Sequence, residues 1–116
     1  MMGRKFVNGV EGGSVSVDDR GLQYGDGLFE TMGATNGRVR RLASHMARLA
    51  EGCHRLGLPP PPVDLIESDC LRALEGFGAA VVKLTLTRGP GPRAYPPPAE
   101  PSLTRIVVST AQQVSE

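Results

Sequence analysis

The stretch that decides the fold is residues 19–31, which read Asp19-Arg20-Gly21-Leu22-Gln23-Tyr24-Gly25-Asp26-Gly27-Leu28-Phe29-Glu30-Thr31. Three glycines lie among large apolar side chains, and each would cost a helix about 1 kcal/mol relative to alanine. We therefore predict a turn or short helix over residues 21–25, followed by a strand over residues 28–34. The strand runs into Asn36-Gly37, a pair that is typical of a two-residue hairpin turn.

The rest of the chain supplies more strands. A second Asn-Gly pair, Asn8-Gly9, follows an apolar start and predicts another hairpin. Residues 38–42 are expected to return as a strand after the hairpin at Asn36-Gly37. Alternating apolar and polar residues predict a strand over residues 79–88, with one buried face, and a last strand follows over 104–110. Six prolines and two glycines between these two strands predict a loop.

Two helices are predicted between the strands. The first covers residues 44–56, with Ser44 as its N-cap and apolar residues at helical spacing. The second begins at a cap formed by Asp64 and ends by residues 76–78, and prolines make 59–62 an extended connector. This order predicts an α+β domain, in which two helices pack on one face of an antiparallel sheet.

Composition limits the possible partners. A chain of 116 residues with thirteen basic and twelve acidic side chains is expected to be one domain without a long-range field that attracts nucleic acid. No apolar run approaches the ~20 residues of a membrane span, so we expect a cytoplasmic protein with no membrane partner. Cys53 and Cys70 are expected to be buried free thiols rather than a disulfide, and no metal site is expected.

Three blocks of sequence, in order and at matching spacing, resemble the start of fold-type IV pyridoxal-phosphate enzymes. They are Asn8-Gly9 with residues 19–31 and Gly37-Arg38-Val39, then His45-Met46-Ala47-Arg48-Leu49, then Thr87-Arg88-Gly89-Pro90-Gly91-Pro92-Arg93-Ala94-Tyr95. The resemblance covers nearly the whole chain. It implies that residues 1–116 form the smaller N-terminal domain of the D-amino-acid aminotransferase-like fold, with pyridoxal 5′-phosphate as the cofactor of the full enzyme.

Within this group, residues 24–31 and 88–95 are most similar to aminodeoxychorismate lyases, which convert 4-amino-4-deoxychorismate to p-aminobenzoate and pyruvate in folate synthesis. Two alternatives remain open. The first is a transaminase: D-amino-acid transaminases share part of residues 87–95 but have histidine where this chain has Tyr95, and branched-chain transaminases match residues 87–95 poorly. The second is a stand-alone, non-catalytic binding domain.

The resemblance assigns Arg48, on the first helix, to the cofactor phosphate. A guanidinium offers a planar set of donors that suits phosphate oxygens. Without the resemblance, Arg48 would be interpreted as a solvated side chain on a helix face. His45, three residues earlier, is interpreted as structural.

The resemblance also assigns to Tyr24, Arg93 and Tyr95 the binding of carboxylates on a small-molecule substrate. In some relatives, such residues reach into the active site of the neighbouring subunit. An arginine with phenol hydroxyls is a good carboxylate receptor. The alternatives are a packed Tyr24 and a mobile loop charge at Arg93. Arg88 is expected to pair with an acidic neighbour at the end of its strand.

No catalytic residue is expected within this chain. In the family, the Schiff-base lysine lies in a larger C-terminal domain, which would follow Glu116. Lys83 is expected to face solvent or substrate, and Lys5 fits the Schiff-base role no better. The chain alone is therefore expected to be inactive, and an apolar surface that a second domain or a homodimer partner would cover is expected to drive self-association.

Overall fold

The computed structural model of the chain describes residues 3–91 and 102–112. Strands occupy β1 (Gly3–Val7), β2 (Val10–Glu11), β3 (Gly27–Thr35), β4 (Arg38–Val39), β5 (Ala79–Thr87) and β6 (Thr104–Ala111). Helices occupy α1 (Arg20–Tyr24), α2 (Leu42–Leu56) and α3 (Val63–Leu74). In the described part of the chain, no helix is both long enough and apolar enough to cross a membrane.

The six strands form one antiparallel sheet in the order β2-β1-β6-β5-β3-β4. The centre of the sheet is β5, which pairs along its whole length with β3, from Gly27 opposite Thr87 to Thr35 opposite Ala79. This architecture confirms the predicted α+β fold with an antiparallel sheet.

Both long helices pack on one face of the sheet. Along the long strands, buried residues on that face alternate with half-buried or exposed ones, as the period of two of a strand requires. The core they form with the helices includes Met32, Ala34, Val82, Leu84, Leu86 and Val107 from the strands and Met46, Leu49, Cys53, Ile66, Cys70 and Leu74 from the helices. Each large side chain buried in this way contributes about 1.5–3 kcal/mol to folding. The predicted burial of both free cysteines is confirmed.

Both Asn-Gly hairpins are confirmed. Asn8 and Gly9 have φ of 50° and 81°, and Asn36 and Gly37 have φ of 51° and 81°. Positive φ at both central residues is the signature of the turn whose twist matches that of paired strands. These turns set the registers of β1 with β2 and of β3 with β4.

Three predicted boundaries are wrong. The strand expected over residues 38–42 ends at Val39, because Arg41 turns the chain with φ of 57° and α2 begins at Leu42. Ser44 is therefore inside the helix and is not its N-cap. The second helix begins at Val63 after Pro62, so Asp64 is a first-turn residue, where its charge favours the helix N-terminus.

Candidate active site

One buried carboxylate joins β3 to α2. Glu30 lies on the core side of the sheet, and its Oε1 and Oε2 accept hydrogen bonds from Nη2 and Nε of Arg48 at 2.8 and 2.9 Å. Oε1 also contacts Nδ1 of His45 at 2.8 Å. Residues three apart lie on the same face of a helix, so α2 brings both side chains to one strand residue. We call Glu30, His45 and Arg48 the Glu30 cluster.

The Glu30 cluster has a defined charge state. The hydrogen bonds from Arg48 lower the pKa of Glu30 despite its burial, and Glu30 in turn raises the pKa of Arg48. An ionised carboxylate only accepts hydrogen bonds, so Nδ1 of His45 must carry the hydrogen in their contact. His45 thus has the structural role expected of it, as a hydrogen-bond donor to Glu30.

Arg48 has donors left for a ligand. A guanidinium has five N–H donors, and Glu30 engages one on Nε and one on Nη2. The side chain is 69% exposed. It lines a hollow of about 200 Å³ together with Arg41, Ser44 and His45, and in the described part of the chain no carboxylate lines it. Two guanidinium groups and a hydroxyl are donors that suit the phosphate end of pyridoxal 5′-phosphate.

Tyr24 is the last residue of α1, whose first turn is held by buried polar contacts. Asp19 caps this short helix through Oδ1, which accepts from the backbone N–H of Gly21 at 2.8 Å. The other oxygen of Asp19 accepts from the hydroxyl of Thr104 at 2.5 Å. The guanidinium of Arg20 lies 4.7 Å from the centre of the Tyr24 ring, and Tyr24 is 42% exposed. The predicted short helix is confirmed, and it presents Tyr24 near the surface.

A second carboxylate, Asp26, joins α1 to β5. Its Oδ2 accepts from Nε of Arg88 at 2.8 Å and from Nε of Arg20 at 3.2 Å. Nη2 of Arg88 donates to the carbonyl of Leu56 at the end of α2. Burial opposes the ionisation of Asp26, but the two arginines hold its pKa below the ordinary value. The acidic neighbour predicted for Arg88 is therefore Asp26, and we call these three side chains the Asp26 cluster.

The sheet face opposite the helices carries a separate group. Nζ of Lys83 lies 4.4 Å from the centre of the Phe29 ring, and both side chains are exposed. Phe29 also lines a hollow of about 490 Å³ with Leu22, Thr85 and Ile106. The structure therefore places Lys83 on the open face of the sheet.

Two of the four predicted cofactor- and substrate-binding residues lie in the described part of the chain. Arg48 lies at the N-terminal half of α2 and Tyr24 at the end of α1, while Arg93 and Tyr95 lie outside the described residues. Sequence reasoning missed Glu30. The sequence signal for Glu30 was its position in phase with Leu28 and Met32, which places a charged residue on the apolar side of β3. A carboxylate buried there needs hydrogen-bonding partners.

Comparison with known proteins identifies the family of the chain. The family model for Amino-transferase class IV matches residues 27–116. The chain belongs to this family. Its enzymes depend on pyridoxal 5′-phosphate, and the donors around Arg48 fit the phosphate of that cofactor.

Individual relatives include both lyases and transaminases. The chain is 30% identical to the aminodeoxychorismate lyase of Vibrio harveyi over 92 residues, which is 79% of this chain and 34% of the relative. It is 29% identical to the D-alanine aminotransferase of Listeria innocua over 109 residues, which is 87% of this chain and 36% of the relative.

A solved structure is more similar. The 4-amino-4-deoxychorismate lyase of Pseudomonas aeruginosa has 42% sequence identity and a TM-score of 0.84 over 97% of this chain and 41% of its own. The chain thus spans between 34% and 41% of the length of these three proteins. The agreement identifies the fold as that of the N-terminal domain of fold-type IV enzymes.

Proposed function

We propose that this chain is the N-terminal domain of a pyridoxal-phosphate-dependent 4-amino-4-deoxychorismate lyase, which forms p-aminobenzoate and pyruvate for folate synthesis in the cytoplasm. The observation that carries the proposal is the 42% identity to the Pseudomonas aeruginosa lyase over 97% of the chain. The exposed arginine held by Glu30 supports it, because it offers an anion receptor of the required kind.

Arg48 binds the cofactor phosphate in this proposal. Its exposed guanidinium and the neighbouring Arg41 and Ser44 supply donors in one hollow, and charge-assisted bonds of this kind are about twice as strong as neutral ones. The bound cofactor would supply an electron sink for the carbanion chemistry. The role of this chain is to hold the cofactor by its phosphate and to orient the substrate.

Tyr24, Arg93 and Tyr95 bind the substrate carboxylates. The tyrosine hydroxyls and the guanidinium donate hydrogen bonds to carboxylate oxygens. We propose that Tyr24 serves the site of the neighbouring subunit in a homodimer, as the resemblance implies for some relatives. The exposed position of Tyr24 at the end of α1 supports this arrangement.

The cofactor lysine belongs to a C-terminal domain in this proposal. The fraction of the relatives that the chain spans is consistent with a second domain. Nζ of Lys83 lies over the Phe29 ring on the open face of the sheet, whereas Arg48 lies on α2, which packs on the other face. Lys83 is therefore a poor candidate, and the 116-residue chain alone is expected to be inactive.

The test supplies 4-amino-4-deoxychorismate and pyridoxal 5′-phosphate to the protein at its full encoded length and, in parallel, to the 116-residue chain. We expect the full-length protein to release p-aminobenzoate, detected by fluorescence, and equal amounts of pyruvate, detected with lactate dehydrogenase. The 116-residue chain should release neither. Turnover by the 116-residue chain, with a borohydride-stable link to Lys83 or Lys5, would contradict the proposed division of roles.

A transaminase is the second candidate, because the D-alanine aminotransferase of Listeria innocua matches 87% of this chain. The same preparation should therefore also be given D-alanine and 2-oxoglutarate. Transfer of the amino group without release of p-aminobenzoate would favour the transaminase over the lyase. Absence of both activities and of cofactor binding would favour a non-catalytic domain.

A further inference from the structure

We propose that Glu30 is a positioning residue, whose buried carboxylate holds the guanidinium of Arg48 in the orientation that a phosphate requires. The inference rests on the proposed phosphate role of Arg48 and adds the group that gives this arginine its geometry. It follows from two hydrogen bonds to one carboxylate, from Nε and Nη2 of Arg48.

An exposed arginine is normally mobile. Its side chain carries about 2 kcal/mol of rotamer entropy, which a ligand must otherwise remove when it binds. Two parallel hydrogen bonds to one carboxylate fix the plane of the guanidinium. The side-chain entropy of Arg48 is therefore lost when the protein folds and not when the ligand binds. Another pair on the same helix lacks this arrangement, because Arg55 reaches Glu51 through a single Nη2 bond and both side chains are exposed.

The position of Glu30 is costly without such a role. It lies on the core face of β3, opposite Leu84 of β5 and in phase with Met32. An apolar residue would pack there without the desolvation cost of a carboxylate. The hydrogen bonds to Arg48 and His45 offset this cost, and they orient two side chains that line the same hollow.

The test compares two ligands that lack the reactive aldehyde, so that no lysine contributes. These are 4-deoxypyridoxine 5-phosphate and unphosphorylated 4-deoxypyridoxine, titrated into the full-length protein by calorimetry. We expect the wild-type protein to prefer the phosphorylated ligand by about tenfold or more, as expected for hydrogen bonds to a charged group. Glu30→Gln should lose most of that preference, with little change in affinity for the unphosphorylated ligand.

The preference for the phosphorylated ligand distinguishes a loss of Arg48 orientation from a general structural defect. A purely structural defect would weaken both ligands together. Glu51→Gln, which breaks the other arginine–glutamate pair of α2, is the matched control and should keep the wild-type preference. Glu30→Asp, which retains the charge on a shorter side chain, should recover part of the preference that Glu30→Gln loses.

A second measurement keeps the inference testable if Glu30→Gln does not fold. In the wild-type protein, the Nε–H resonance of Arg48 should exchange slowly with water both before and after the phosphorylated ligand binds. Rapid exchange in the complex would show that Glu30 does not hold Arg48 there, and would overturn the inference.

The possible failures are distinguishable. If the wild-type protein does not prefer the phosphorylated ligand, the phosphate role of Arg48 is wrong and the inference falls with it. If the wild-type protein has the preference and Glu30→Gln keeps it in full, Arg48 remains the anchor and only the positioning role of Glu30 is overturned.

Discussion

The Asp26 and Glu30 clusters follow the same plan but differ in exposure. In each, one carboxylate on or beside β3 accepts hydrogen bonds from two basic side chains. The arginines of the Asp26 cluster are enclosed, with side-chain exposures of 4% for Arg20 and 13% for Arg88, whereas Arg48 is 69% exposed. The same type of ion pair therefore joins elements of the fold in one case and presents a guanidinium to solvent in the other.

The hydrogen-bond partners of Arg88 and Arg48 distinguish an arginine that joins elements of the fold from one with donors free for a ligand. Arg88 uses Nε for Asp26 and Nη2 for the Leu56 carbonyl, so its donors connect β5 to α1 and α2. Arg48 directs its described contacts to one carboxylate and keeps three of its five donors available. A free energy of unfolding should therefore depend more on Asp26, and anion binding more on Glu30.

The largest expected effect on stability comes from Asp26→Asn. This change leaves two enclosed guanidinium groups without a balancing charge, and breaking a buried pair typically costs about 3–5 kcal/mol. We expect a loss near the lower end, about 3 kcal/mol, because Asp26 retains some solvent contact. Urea unfolding at neutral pH measures it, and a loss below about 1 kcal/mol would contradict the structural role of this cluster.

Glu30→Gln should cost less, about 1–2 kcal/mol in the free energy of unfolding. The exposed Arg48 can turn into water, and the amide oxygen of glutamine can still accept one hydrogen bond. The control Glu51→Gln, in an exposed pair of the same helix, should change stability by no more than about 0.5 kcal/mol. If Glu30→Gln proves more damaging than Asp26→Asn, the comparison between the clusters is wrong.

The smallest expected effect is a dependence on acid. The pKa values of Glu30 and Asp26 are both lowered in the folded protein, from ordinary values of 4.5 and 3.8. Each carboxylate therefore contributes stability that is complete above its ordinary value and is lost as pH falls through its folded value. Urea unfolding at a series of pH values from 7 to 3 should show this loss, and Glu30→Gln should remove its own part. An identical acid dependence in the variant would contradict the assignment.

Local sequence signals succeeded where the local chemistry is specific. The Asn-Gly pairs at residues 8–9 and 36–37 form the predicted turns, because few other residues tolerate positive φ at both positions. The capping signals at Ser44 and Asp64 failed. The first long helix begins two residues before Ser44, because Arg41 turns the chain and Leu42 packs against the core. The helix α3 begins directly after Pro62, one residue before Asp64. Burial of apolar residues thus outweighed a cap worth about 1 kcal/mol.

The candidate site was predictable in part. The pairing expected for Arg88 is present with Asp26, and the binding roles that the resemblance assigns to Arg48 and Tyr24 stay predictions. The role of Glu30 could not be read from its motif, because its partners lie 15 and 18 residues away on another element. Its phase on β3 indicated burial, but only the packing of α2 shows which side chains neutralise it.

The sequence by itself determined the alternation that makes one sheet face apolar, the helical spacing of α2 and α3, and the motifs that identify the family. These features depend on residues a few positions apart, whose geometry follows from the period of a strand or a helix. Only the tertiary structure decided that Glu30 meets Arg48 and that Asp26 meets Arg88, the latter across 62 residues. Such contacts depend on strand register and on where a helix lies across the sheet, which are set by the packing of the whole core.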